Sequence, residues 1–216
     1  MSSPVTGTTS RTDGTRAYNS ARRTQQAAQT RQDVIDAAIA LFTTAGWAGA
    51  TVAAIAERAG VAVETVYKGV GSKRQLLRAA MDAAVVGDAD PVPLVERPEF
   101  RALGEGSWDE RVAKGAAMNA RIQERSAGVW QAVREAAGSD GEVDTWRLEM
   151  GHGRRLDVGR AVAAIVGREP DDQLVTLLWI VYGPDAYLQL VRDQGYDAAA
   201  YEAFLIDATN RLAATA

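Results

Sequence analysis

Residues 60–77 read GVAVETVYKGVGSKRQLL, and they set one carboxylate, two hydroxyls, a phenol and three cations within a few helical turns. Glu64 and Lys68 stand four apart, so on a helix they share a face. Thr65 and Tyr67 stand beside them. Such groups can donate and accept hydrogen bonds and neutralise anions. Bond-making chemistry is a poorer fit. The chain has no cysteine and a single histidine, His152, which leaves no thiolate nucleophile, no disulfide, no common structural zinc site and no expected metal or cofactor. No Gly-x-Ser-x-Gly, His-Glu-x-x-His or P-loop occurs, and the Gly-x-Gly at 104–106 has no strand before it. Carboxylate pairs such as Asp109/Glu110 and Asp171/Asp172 fall at helix starts, where the helix dipole favours them. The expectation is a protein that recognises and is not an enzyme.

The elements that position these groups are short helices. Val34, Ile35, Ala38, Ile39, Leu41 and Phe42 recur at helical spacing from Thr30 on, and Gly46 supplies a left-handed stop. Thr51 caps the next helix, VAAIAERA, which Gly60 ends with Val61 folding back on it. AVETVYKG forms a third, closed by Gly69 and Gly71. Ser72 and Gln75 then form a capping box for a fourth, which turns Leu76, Leu77, Ala80, Met81, Ala84 and Val85 inward. Two short helices joined by a tight turn at Ala59-Gly60-Val61 predict a helix-turn-helix whose second helix enters the DNA major groove.

Over residues 31–85 the order of motifs resembles the N-terminal domain of the TetR family of transcriptional repressors. Those motifs are Ala-x-x-Leu-Phe in the first helix, Gly46 followed by an aromatic, Thr51, Ile55-Ala56, Ala59-Gly60-Val61, Thr65-x-Tyr67 and Ser72-Lys73. The resemblance implies a phosphate contact for Thr51, contacts to bases or nearby phosphates for Val63, Glu64, Thr65 and Lys68, and a grip on the backbone for Tyr67 and Lys73. By residue type, Thr65 and Val63 suit thymine methyls, Glu64 a cytosine amine and Lys68 a guanine. Glu64 could equally be a solvent-facing carboxylate, and Tyr67 could pack in the core. Ala62 stands where the family usually has a capping Ser, Gly69 where it has an aromatic or His, and Val70 where Phe is more frequent, so the operator cannot be carried over from relatives.

Residues 1–28 are rich in Ser, Thr and Gly without hydrophobic period and are expected to be a disordered basic arm, either following DNA through Arg16, Arg22 and Arg23 or merely solvated. Residues 29–86 form the DNA-binding domain with its connecting fourth helix. Three prolines and three glycines between Gly87 and Ser107 place a hinge there. Residues 87–216 should be a larger helical ligand-binding and dimerisation domain, with helices near 107–126, 128–138, 142–167, 171–182, 184–194 and 197–214. No alternating β-branched pattern survives, so the predicted fold is all-α.

Met118, Trp130, Trp146, Met150, Trp179 and Tyr182, aromatic or sulfur-bearing with few polar neighbours, suit either core packing or the wall of an apolar ligand cavity. His152 between Gly151 and Gly153 is either a surface residue or sits where the glycines leave room for a ligand. One reading head spans too few base pairs, so a homodimer on a near-palindromic double-stranded DNA operator is expected. Leu174, Leu178, Val181, Phe204, Leu205 and Leu212 are candidates for its interface, with intramolecular core as the competing use. The resemblance implies a small-molecule effector that shifts the fourth helix and, with it, the spacing of the two heads.

Net charge is −4, yet residues 1–80 carry +5 and the remainder −9, the distribution of a basic nucleic-acid module joined to an acidic body. No apolar run near 18 residues and no secretion signal stand out, which predicts a cytoplasmic protein away from the membrane. A helical adaptor that binds proteins through the C-terminal helices is the alternative.

Overall fold

The computed structural model describes residues 13–88 and 92–214, residues 13–21 by backbone alone. Helix α1 runs Asp13–Gly49, α2 Val52–Arg58, α3 Val63–Gly69 and α4 Lys73–Val86. A linker with one short helix, α5 (Pro98–Arg101), leads to α6 (Trp108–Ala137) and α7 (Gly141–Val166). The chain closes with α8 (Asp172–Val181), α9 (Pro184–Tyr187) continued by a π-helical turn at Leu188–Asp193, and α10 (Ala198–Ala213). The fold is all-α.

Three features differ from the sequence expectation. Helix α1 begins at Asp13, inside the stretch expected to be disordered. Its Ala, Gln and Arg residues from 21 to 32 are good helix formers that extend the packed part as an exposed rod. Residues 1–12 of the expected arm lie outside the described residues, as do the side chains of Arg16 and its neighbours. The break expected near residue 127 is absent, and α6 runs through Gly128. A Cβ at Gly128 would come within 2.5 Å of Thr43 Cγ2, so this glycine serves the close approach of α6 to α1. Finally, Asp172–Asp193 does reach the length and mean hydropathy (1.4) of a membrane span. Gly183 and Pro184 break it into separate helices, and Leu174, Val175 and Leu178 turn into the protein core.

Helix α6 is the spine, packed against α1, α4, α7 and α10. Core residues of the first four helices, among them Val34, Phe42, Ile55, Val66, Leu76 and Leu77, form one cluster with Val129, Ala132, Val133 and Ala136 of α6 and Val143 of α7. The reading head is therefore built directly onto the body. Helix α4 is held at both ends. Arg74 near its start bonds Asp140 at 2.5 Å and Glu142 at 2.8 Å at the beginning of α7. At its finish, Arg125 of α6 donates to the carbonyls of Ala84 and Val85, both at 3.1 Å.

Candidate nucleic-acid interface and internal cavity

The turn between α2 and α3 forms as the residues require. Gly60 takes φ +68°, a left-handed conformation that favours glycine. The N–H of Val61 returns to the carbonyl of Ala56 at 3.0 Å, satisfying one of the carbonyls that a helix end leaves open. Thr51 caps α2, its hydroxyl oxygen accepting from the N–H of Ala54 at 3.1 Å. Accepting that bond leaves the hydroxyl hydrogen available to a phosphate. Helix α3 has no side-chain cap at Ala62, and Ser72 with Gln75 forms the expected capping box on α4.

With about 100° per residue around a helix, the buried Val66 fixes which side of α3 faces out. Glu64 and Lys68 share the crest opposite it, with Thr65 on one flank and Tyr67 on the other. All four are exposed, Tyr67 by 55%, so Tyr67 is not a core residue. Glu64 and Lys68 make no ion pair with each other among the described residues. Val63 is half-buried against the core, which leaves less of it to meet a base. Gly69, the last residue of α3, is exposed, and a Cβ there would meet nothing within 4 Å.

Lys73 is engaged inside the protein. Its ammonium donates to the carbonyl of Trp47 and lies 4.2 Å from the centre of that ring, while burial lowers its pKa. Of its three donors, one is committed to holding the end of α1.

Behind the head lies a cavity of about 870 Å³, within the range of small-molecule sites. Helices α4, α6 and α7 and the linker enclose most of it. Of the residues considered for a cavity wall, Met118, Trp130, Met150 and Tyr182 line it, and Trp146, His152 and Trp179 do not. Trp146, one turn before Met150, packs against the core of the head with the Arg78 guanidinium 5.1 Å from its ring centre. Trp179 lies outside the wall beneath Arg154, at 4.8 Å. His152 is exposed on the other side of α7, although Gly151 and Gly153 do line the cavity.

Sequence reasoning missed the polar part of the wall, formed by Asn119, Gln123, Ser126, Arg154 and Thr209. Asn119 donates to the Tyr201 hydroxyl at 3.2 Å, and Gln123 to the carbonyl of Tyr182 at 2.9 Å. Thr209 donates to the carbonyl of Leu205 at 2.8 Å, so the Tyr182 hydroxyl, 2.7 Å away, donates to Thr209. Burial raises the pKa of Tyr182 and of Tyr201, keeping both as neutral phenols. The signal for Arg154 was available in its register with Val158, Ala161, Val162 and Ile165 along the apolar stripe of α7.

The expected dimer residues divide. Leu174, Leu178 and Leu205 are buried within this chain, at 1%, 3% and 0% exposure, and are therefore intramolecular core. Two turns of α8 packed on α7 and α10 consume the leucine stripe that an interface was expected to use. Val181, Phe204 and Leu212 are half-buried against the same core. Leu177 and Ile180 on α8 and Leu148 and Leu156 on α7 are exposed apolar residues.

Residues 34–80 match the family model described as bacterial regulatory proteins, tetR family. Among curated proteins, none matches the chain. Solved structures share its fold, two of them as follows. A protein from Rhodococcus sp. described as a TetR-family transcriptional regulator is 18% identical, with a TM-score of 0.61 over 85% of this chain and 98% of that one. A Clostridium perfringens protein described as a fatty acid metabolism regulator is 19% identical, with a TM-score of 0.55 over 82% of this chain and 97% of that one.

Proposed function

We propose that this chain, a DNA-binding transcriptional regulator that belongs to the TetR family through residues 34–80, is a repressor released from its operator by an apolar or aromatic small molecule. The observation that carries the reading is the double use of α4. It carries the reading head, and it also forms one wall of the cavity through Gln75, Arg78, Ala79, Met81, Ala83 and Val86. A molecule in the cavity would therefore touch the element that sets where α3 lies. Release requires that it bind better to the arrangement that cannot hold DNA, since equal affinity shifts nothing. DNA then weakens effector binding by the same factor.

The active form is a homodimer on a near-palindromic site, working in the cytoplasm where the operator is. Leu177 and Ile180 are one turn apart on α8, exposed by 37% and 55%, and such paired apolar side chains support a two-fold contact between copies. At the groove, Thr51, Tyr67 and the free donors of Lys73 hold phosphates. Glu64, Thr65 and Lys68 face base edges, and Val63 lends a methyl at the margin.

Fragments selected from random DNA by the purified protein provide the test, followed as fluorescence anisotropy against salt. A repressor of this kind loses affinity linearly in log salt, by about 0.9 per phosphate neutralised, and the selected fragments share an inverted repeat. Failure to enrich any sequence, with no saturable complex in dilute buffer, would remove the reading.

A further inference from the structure

The cavity has a direction. Along α7 its wall is written by Arg154, Asp157, Val158, Ala161, Val162 and Ile165, spaced so that all face one side of the helix. Arg154 and Ile165 are separated by about 16 Å of helix axis, at 1.5 Å per residue. Gln123 donates to Asn119 Oδ1 and to the backbone carbonyl of Tyr182, and the Tyr182 hydroxyl bonds Thr209; Arg154 borders them, a Cβ at Gly183 standing 3.5 Å from its Nη2. Phe100, Leu103 and Val112 cluster with Ile165 at the other end.

Arg154 is not neutralised from within. Its Nη1 is buried and has no hydrogen-bond partner among the described residues. Asp185 is the carboxylate acting on it electrostatically, but Asp185 bonds Arg134 at 2.6 Å. Asp157, one turn along α7, bonds Arg160 at 3.0 Å. Tyr201, the remaining titratable neighbour, is a neutral phenol. Burial lowers the Arg154 pKa to about 10, so it still carries its charge at neutral pH. The indole N–H of Trp130, in the same wall, is also buried without a partner. Neither buried donor opens on the cavity itself, so it is the uncompensated charge of Arg154 in the wall that calls for a counter-charge. A buried charge is costly until a counter-charge reaches it, and a guanidinium matches a carboxylate in two parallel hydrogen bonds.

We infer that the effector is an apolar molecule ending in one anionic group of the carboxylate class, that group held by Arg154 and its hydrocarbon part lying toward Phe100, Leu103 and Ile165. This rests on the reading of the cavity as an effector site, and names the class of molecule that fills it.

Three probes of equal length decide the matter: dodecanoic acid, dodecanol and dodecylamine, titrated into the full-length protein at neutral pH with tryptophan fluorescence and thermal shift as readouts. The acid should bind about tenfold or more tighter than the alcohol, and the amine weakest. Arg154→Gln should bring the acid to the level of the alcohol, and Arg154→Lys should keep part of the preference. Parity of acid and alcohol on the unmodified protein overturns the inference without touching the effector reading. So does an acid preference that survives in Arg154→Gln. Should that variant fail to fold, the comparison on the unmodified protein still decides. Binding of none of the three removes the effector reading of the cavity together with this one.

Discussion

The backbone N–H of Trp47 donates to Oε2 of Glu135 at 2.8 Å, joining the end of α1 to α6 across 88 residues of sequence. Gly46 makes the approach possible. A Cβ there would stand 2.5 Å from the same oxygen, and its φ of +65° is strained for any other residue. We expect Glu135→Ala to lower unfolding free energy by about 1 kcal/mol, the worth of one hydrogen bond at a partly exposed site. Gly46→Ala should cost about 2 kcal/mol, because strain and clash add. Urea denaturation measures both, and equal stability of Gly46→Ala and the parent would contradict this account of the junction.

Gly69 is exposed at the end of α3 with open space where a Cβ would stand, so a longer side chain fits there without a clash. Gly69→Arg should tighten binding to selected and random DNA alike, and should steepen the dependence of log affinity on log salt by about 0.9, one added phosphate contact. An unchanged salt slope would place this position away from the backbone.

Tyr67 and Thr65 flank the crest of α3 on opposite sides, and their losses should differ in kind. Tyr67→Phe removes one exposed hydroxyl, so stability holds while affinity falls by about threefold to tenfold on every sequence. Thr65→Ala should instead relax the preference at one base pair by about 1 kcal/mol. Competition assays with single-position operator variants separate the two, and uniform loss for Thr65→Ala would refute its base-reading role.

Asp140 links α7 to α4, accepting from the N–H groups of Glu142 and Val143 at 3.1 and 3.3 Å and bonding Arg74 at 2.5 Å. Burial works against its charged form, but the Arg74 hydrogen bond, the backbone N–H groups and the Arg74 charge together hold its pKa below the ordinary value. A carboxylate depressed by folding contributes fully above its ordinary value of 3.8, and that contribution is lost as pH falls through the folded value. Melting temperature should therefore fall as pH drops below 3.8, and Asp140→Asn, which keeps a capping oxygen without the charge, should flatten that limb. Identical acid limbs would mean that the link carries no weight.

Arg154 should weaken the protein in the absence of ligand. Arg154→Met keeps much of the side-chain volume and removes an uncompensated charge, so the melting temperature should rise by a few degrees. A fall would show that stacking on Trp179 outweighs desolvation.

The head was legible because its signals are local. Gly60 must turn left-handed, Thr51 and Ser72 must cap, and Val66 must be the inward residue of a two-turn helix whatever the rest of the chain does. The body was not legible to the same depth, because a leucine stripe reads alike whether it meets its own chain or a second copy. Leu174, Leu178 and Leu205 went to the interior, while Leu177 and Ile180 of the same apolar run stayed outside. Tryptophan and histidine drew attention to Trp146, Trp179 and His152 by residue type, yet register decides what faces the cavity. In that register the informative residue was an arginine.

Helix α4 resembles a beam resting on two abutments, Arg74 with Asp140 at one and Arg125 at the other, with its mid-span bare over the hollow. Load applied at mid-span reaches both supports at once. Cargo in the hollow would thus need no relay of intervening side chains to be felt at the double helix, and substitutions at either abutment should alter how far that push travels without altering how tightly the cargo is held.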